Sequence, residues 1–476
     1  MNPVFIILVG TAVVLLCIIR FRLHAALSLL IAAVVTAILT GPENLQTFAE
    51  FKSFNAVQTK DFLSQSVGKR LSNAFGNTSA KVGVLIALAS IIGTALTRSG
   101  GAEKIIRSIL SVLGAKNTSV GLLAGSFTLA IPVFFDTVFY LMIPLIKSLS
   151  IRNPKKFGLY LMAVIAGGVM AHSLIPPTPG PLFVAEAMDI NLGVMIMAGI
   201  VVGAITVSAG YVYALWLQKK QQLPLRNTSD ITTDDLKTYS AKTEIELPSL
   251  VGSLLPVLLP IFLITGNTFS QMLQETSMDF SQWQKQLFGL FRFLGDPNIA
   301  LFIACLISLY LLKKQTRSKE KFNQFIKEAV AGASVIILIT ASGGAFGQMM
   351  QQTGVGVYIG GFAANYQIAI LPFAFVLTAA IRSAQGSATV AMVTAIGIMG
   401  GIVETDLLFH PVYIAMAIGC GSKVFAWMND SAFWIIKQMA GMTEKETFTF
   451  FSSLLMVMAL AGLLAVMVLS YFFPLL

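Results

Sequence analysis

The sequence predicts an all-α polytopic membrane protein built from two inverted-topology repeats, and three observations predict it. Of 476 residues, 56% are hydrophobic and 11% charged, with a mean hydropathy of +0.79, a balance found in chains whose solvent is lipid. The basic residues stand in short stretches between apolar runs, where they fix the side of the bilayer that each loop occupies. Two apolar stretches, 117–146 and 368–402, are long for one crossing and too short for two, which need roughly 40 residues with their turn. Each has both flanks on one side, so each goes in and comes back. Irregular backbone at that depth survives only where protein or a water-filled cavity satisfies it.

Composition also excludes. The longest polar stretches, 41–78, 218–247 and 266–297, are too short to bury a core of their own, so function lies within the membrane part. The net charge of +10 sits in short loops and sets topology, and no nucleic-acid partner is expected. Cys17, Cys305 and Cys420 fall inside apolar runs with no CxxC pair, which points to neither disulfide nor metal chemistry. No cofactor is implied. The apolar run 3–19 is followed, not preceded, by Arg20 and Arg22 and lacks a small-residue cleavage site, so it reads as a first span with its N-terminus outside.

Each element follows in order. Residues 3–19 run inward, 23–40 return, and the external stretch 41–78 carries Leu63, Val67, Leu71 and Phe75 at four-residue spacing, a helix lying along the interface. Residues 80–96 cross inward to the basic segment 98–116. The hairpin 117–146 then enters from the cytoplasmic side and returns to Lys147, Arg152, Lys155 and Lys156. Residues 157–175 go outward until PPTPGP at 176–181 breaks the helix, since proline removes donors and forbids helical geometry in the residue before it. Residues 192–217 cross back to Lys219 and Lys220.

A cytoplasmic linker, 219–247, separates this first repeat, 1–218, from a second, 248–476. Residues 248–266 go outward and 298–312 return to the densest basic segment, which includes Lys313, Lys314, Arg317, Lys319, Lys321 and Lys327. Residues 329–350 go outward; between Glu328 and Glu404 the sole ionisable residue is Arg382. The hairpin 368–402, broken at 382–387, opens from outside. Residues 407–419 go inward, 421–430 interrupt them, and 448–473 run outward. Each repeat thus has five spans plus a re-entrant hairpin. Five is odd, so the second copy is upside down, a transporter signature with broken helices at the midplane. Gly93 with Ser99–Gly100 matches Gly347 with Thr353–Gly354 at an offset of 254.

The four interruptions, 132–137, 172–181, 382–389 and 421–431, carry the candidate site. Half-helices that start there aim unpaired N–H groups and a positive dipole end at whatever lies between them, which favours a carboxylate. Arg382 adds a planar donor fork, and the sequence leaves open whether it meets substrate or neutralises Asp136 or Asp430. Thr137, His172, Ser173, Thr178, Gly180, Ser383, Gln385, Gly386, Ser387, Thr389, Ser422, Asn429 and Ser431 complete the substrate-binding candidates. For coupling, Asp136 and Asp430 are the carboxylates placed to take a proton or cation, with His172 a third titratable group. Lys423 stands as a structural counter-ion for Asp430.

At these motifs the chain resembles the gluconate permease (gluconate:proton symporter) family of the ion-transporter superfamily, over essentially its whole length. The carriers are SGGAEKI at 99–105, FFDTVFYLMIPL at 134–145, HSLIPPTPGP at 172–181, GSATVA at 386–391 and NDSAFW at 429–434. The resemblance implies proton-coupled uptake of gluconate or a related sugar acid across a bacterial inner membrane. It also implies a transport domain that slides against a scaffold, which often dimerises. Asp136 stands where many relatives carry glutamate, and Thr178 where PPHPGP would place histidine; relatives also carry D-serine. The partners expected are a small anionic substrate, protons, the lipid bilayer and a second copy of the chain. Against an intramembrane hydrolase, there is no HExxH and no GxSxG partner for His172. Against an anion channel, isolated deep charges and broken hairpins favour one occluded site.

Overall fold

The computed structural model describes residues 2–226, 247–275, 280–316, 318–355, 369–399 and 407–475, and among them every regular element is helical. Helix α1 (Pro3–Leu15) starts with proline at N1 and the Asn2 side chain accepting the Val4 N–H at 2.8 Å, two devices that satisfy a helix start. After α2 (Ala25–Leu39), the Gly41–Pro42 step turns the chain by 101° into α3 (Pro42–Phe51). An Asn55–Gln58 capping box begins α4 (Ala56–Ser64).

Here the structure corrects the sequence reading. No single interfacial helix carries Leu63 through Phe75. Helix α4 ends at Ser64, and the Ser66 hydroxyl accepts the Lys69 N–H at 3.2 Å to start α5 (Val67–Arg98). Val67, Leu71 and Phe75 therefore form the first turns of a 32-residue helix, about 48 Å long and well beyond the thickness of a hydrocarbon core. The basic segment that follows is itself helical, as α6 (Gly101–Leu113).

The remaining order of the first half agrees with expectation: α7 (Thr118–Leu129) and α8 (Phe135–Arg152) make the hairpin, α9 (Phe157–Leu174) and α10 (Pro179–Ala187) the broken span, and α11 (Leu192–Lys220) the last crossing. In the second half, α12 (Leu250–Glu275) runs through Pro256 and Pro260 and past the expected end at 266. Helix α13 (Gln282–Leu294) occupies part of what reads as an external loop. Helix α14 (Pro297–Thr316) precedes α15 (Lys319–Met350), whose first turns take in much of the basic segment. The hairpin is α16 (Ile370–Gln385) and α17 (Ala388–Met399), the broken span α18 (Val412–Gly421) and α19 (Ser431–Ala440), and after the single turn α20 (Glu444–Thr447) comes α21 (Ser453–Phe472). Most of the expected linker, 227–246, lies outside the described residues, as do Arg317 and Glu404.

The two long helices α5 and α15 pack along each other, and α15 also lies on α2 and α17. The broken spans are the most enclosed elements. Helix α9 is buried at every residue except His172, among α7, α8, α11 and α18, and all of α18 is buried. Helices α5 and α15 have equal length, 32 residues. The matched glycines that follow them, Gly100 and Gly354, both turn left-handed, at φ of 79° and 80°, a conformation open chiefly to glycine.

Candidate functional site

The first side of the site is built by proline. Ile131 precedes Pro132 and is pushed out of helical geometry, so α7 stops at Leu129 and α8 restarts after Phe134. Asp136 thereby falls in the first turn of α8, where a carboxylate complements the positive end of the dipole. The Phe134 ring meets His172 edge-on, 5.8 Å between centroids, and the His172 Nδ1 is buried without a hydrogen-bond partner.

The second side is a dense polar lock between the tip of the second hairpin and the break in the last broken span. Arg382, 3% exposed, donates from Nε to the Ser422 carbonyl at 3.0 Å and from Nη2 to Asp430 Oδ2. Asp430 also caps α19, its Oδ1 accepting the Ala432 N–H at 2.9 Å. The Ser383 carbonyl accepts from Trp427 Nε1 at 2.9 Å and Asn429 Nδ2 at 2.8 Å. Between these contacts Gly386 closes α16 at φ 85°. A Cβ there would run into the Asn429 carbonyl, so the close approach requires glycine.

Between the two sides lies a cavity of about 350 Å³, near the small end of the usual range for ligand sites. Asp136, His172, Arg382, Gln385, Gly386, Ser387, Thr389, Asn429, Asp430 and Ser431 line it. Three helix N-termini meet there, those of α8, α17 and α19. The other candidates stand back from the lining. Thr137 lies one residue past Asp136. The hydroxyls of Ser173, Thr178, Ser383 and Ser422 donate to backbone carbonyls at Val169, Ile175, Ala379 and Gly419, at 2.9, 2.6, 2.7 and 2.7 Å. Gly180 gives up its side-chain space to Met392, which lets α10 rest on α17.

One assignment is corrected. Arg382 is the counter-ion of Asp430; Lys423, also in the cavity wall and 5% exposed, makes no ion pair or hydrogen bond from its ammonium among the described residues. The aromatic and aliphatic lining, Phe135, Val169, Phe451 and Leu455, is absent from the sequence-derived site, since in an apolar span nothing marks one such residue from another.

The profile described as GntP family permease matches residues 2–472. The chain belongs to the GntP permease family. An uncharacterized permease of Haemophilus influenzae is 31% identical, over 93% of this permease and 86% of that protein. A gluconate permease of Pseudomonas aeruginosa is 28% identical over 95% and 94% of the two chains, and the Gnt-II system L-idonate transporter of Escherichia coli 26% over 98% and 99%. In fold, the permease resembles the YdaH transporter of Alcanivorax borkumensis, with a TM-score of 0.60 over 95% of this chain and 100% of that one at 12% identity. The protein is thus a multi-pass membrane permease and not an enzyme, with eight helices among the described residues long and apolar enough to cross, or nine with the bent α2–α3 pair.

Proposed function

We propose that this permease is a secondary active transporter that carries gluconate or a related sugar acid into the cell with protons, across the bacterial inner membrane. The observation that carries the reading is the convergence of three helix N-termini, α8, α17 and α19, on one cavity that also holds two buried cations. Such ends stabilise an anion through aligned dipoles and the N–H groups that their caps leave unpaired, at about 0.3–1 kcal/mol each and more where water is excluded. Gln385, Ser387, Thr389, Asn429 and Ser431 supply the donors and acceptors that a polyhydroxylated chain needs, and the phenylalanines close the wall. The related gluconate and L-idonate carriers support a sugar acid ahead of D-serine or another small hydroxy acid.

The architecture that fits this activity is a pair of inverted repeats, 1–218 and 248–476, whose re-entrant hairpins enter from opposite faces and bring the breaks to the midplane. The hairpins and broken spans form the moving part, and the long helices a scaffold through which two copies pair. Reconstitution tests the substrate. In proteoliposomes with an acidic exterior, labelled gluconate accumulates above its external concentration, saturates, and exchanges in counterflow. Linear flux without counterflow would make the protein a channel, and uptake of D-serine alone would replace the substrate class.

A further inference from the structure

We propose that Lys423 receives the substrate carboxylate and that Asp136 is the proton carrier, the two anions alternating as counter-ion of one buried ammonium. The inference rests on the sugar-acid reading above and deepens it. Its starting point is an asymmetry between the two cavity carboxylates. Both oxygens of Asp430 are engaged, one by Arg382 and one by the Ala432 N–H, and the Arg382 Nε is held by the Ser422 carbonyl. That pair is committed to the hairpin tip, although the Arg382 Nη1 stays buried without a partner. Asp136 makes no hydrogen bond among the described residues, although it lies in the same cavity wall.

Lys423 is the matching loose end among the cations. It is 5% exposed, makes no ion pair among the described residues, and lines the same cavity as Asp136 and Asp430. A lone ammonium in such surroundings demands an anion. With no substrate bound, the two cations of the cavity balance its two carboxylates, and Asp136 is the carboxylate that no hydrogen bond commits elsewhere among the described residues. A gluconate carboxylate brings one further negative charge into a small enclosed volume, and two carboxylates beside one ammonium are strongly disfavoured unless one takes a proton. Asp136 is the one free to do so.

The charged groups that face Asp136 are few. Lys423 and Asp430 come from the break before α19, Arg382 from α16 and His172 from α9; α17 and the lining of α21 contribute none. Further along α19, Lys437 is bonded to Glu444 at 3.0 Å. The cycle then balances. A proton from outside binds the Asp136 carboxylate and releases Lys423, and the gluconate carboxylate docks on the freed ammonium. After the site turns inward gluconate leaves, and Asp136 returns its proton to the cytoplasm and again balances the charge of Lys423. One proton and one monoanion move together, so no net charge crosses.

Gluconate binding to the purified full-length permease, measured calorimetrically in buffers of different ionisation heat, tests this directly. The unaltered protein takes up one proton per gluconate above the Asp136 pKa, and affinity there falls about tenfold per pH unit. Asp136→Asn takes up none and its affinity is flat with pH, whereas His172→Gln still takes up one. Lys423→Gln weakens binding about ten- to a hundredfold, the scale of a lost charge-assisted hydrogen bond, and Lys423→Arg retains it. Wild-type affinity in Lys423→Gln, or one proton still taken up by Asp136→Asn, overturns the proposal. Should those variants not fold, the unaltered protein in a supported membrane decides, because a gluconate-evoked current contradicts electroneutral symport. Failure of the unaltered protein to bind any sugar acid overturns the substrate reading, and this inference with it.

Discussion

Gly386→Ala loads the joint between the second hairpin and the last broken span at a single point. The residue sits at φ 85°, donates its N–H to the Arg382 carbonyl at 2.9 Å, and faces the Asn429 carbonyl where a Cβ would go. Holding alanine left-handed costs about 1–2 kcal/mol, and overpacking against backbone adds about 1–3 kcal/mol. The total is about 2–5 kcal/mol unless the tip retreats. Retreat is costly too, since it pulls at the Ser383–Asn429 bond and the Arg382–Asp430 pair. The matched control is Gly76→Ala in α5, which meets nothing within 4 Å and gains about 0.5–1 kcal/mol from helix propensity. Thermal unfolding in detergent and gluconate binding are read on both variants. Gly386→Ala melts well below the unaltered protein and binds more weakly, while Gly76→Ala melts at or slightly above it. A Gly386→Ala protein with unaltered melting and affinity would refute the claim that tip and break are locked together.

Three further outcomes are expected. Arg382→Lys gives up the fork shared by Ser422 and Asp430 and lowers stability by about 1.5–3 kcal/mol for each charge-assisted bond lost, with gluconate affinity of the folded fraction near wild type; a large affinity loss at full stability would instead make Arg382 a substrate ligand. Single cysteines at Lys155 and Lys319 react with impermeant reagents only from the cytoplasm, and those at Glu43 and Gln274 only from outside; external labelling at Lys319 would sink the inverted arrangement. All four positions are exposed, and Cys17, Cys305 and Cys420 are buried. Arg226→Ala removes bonds to the Gly441 carbonyl at 2.8 Å and to both Glu446 oxygens at 2.6 and 2.8 Å; because Arg226 is half-exposed, the loss is about 1 kcal/mol or less, seen as faster hydrogen exchange at 443–452, and unchanged exchange there would remove Arg226 as an anchor.

The breaks were legible because their cause is local. Pro132 and the PPTPGP run remove donors and restrict the residue before each proline, and Gly386 takes a left-handed turn open chiefly to glycine. The interruptions expected at 132–137, 176–181 and 382–387 therefore lie within a few residues of breaks between helices, whereas Pro256 and Pro260 sit inside α12. The orientation of individual side chains was not, since a break in a helix does not announce which of its residues faces inward. Ser173, Thr178 and Ser422 share the composition of Ser387 and Ser431, yet their hydroxyls close on carbonyls three or four residues back, as serine and threonine do near helix ends. The counter-ion of Asp430 was equally out of reach. Lys423 is seven residues away in sequence and Arg382 forty-eight, and only the folding of the hairpin tip onto the break decides between them.

That decision bears on how the site would close. The lock from Arg382 and Ser383 to Ser422, Trp427, Asn429 and Asp430 lies wholly on one side of the cavity. On the other, Phe134 rests on His172. Among the described residues no hydrogen bond joins the lining residues of the first side, Phe134, Phe135, Asp136, Val169 and His172, to those of the second. Each side is held internally, with Asp136 on one and Lys423 on the other and no ion pair between them among the described residues. A ligand with a carboxylate at one end and hydroxyls along its length would supply the missing bridge, so binding energy is available to draw the sides together. A monofunctional acid such as acetate has the charge without the hydroxyls. It should therefore compete weakly for the site and fail to be carried, whereas a sugar acid should do both; rapid counterflow of acetate would show that closure does not depend on the bridge.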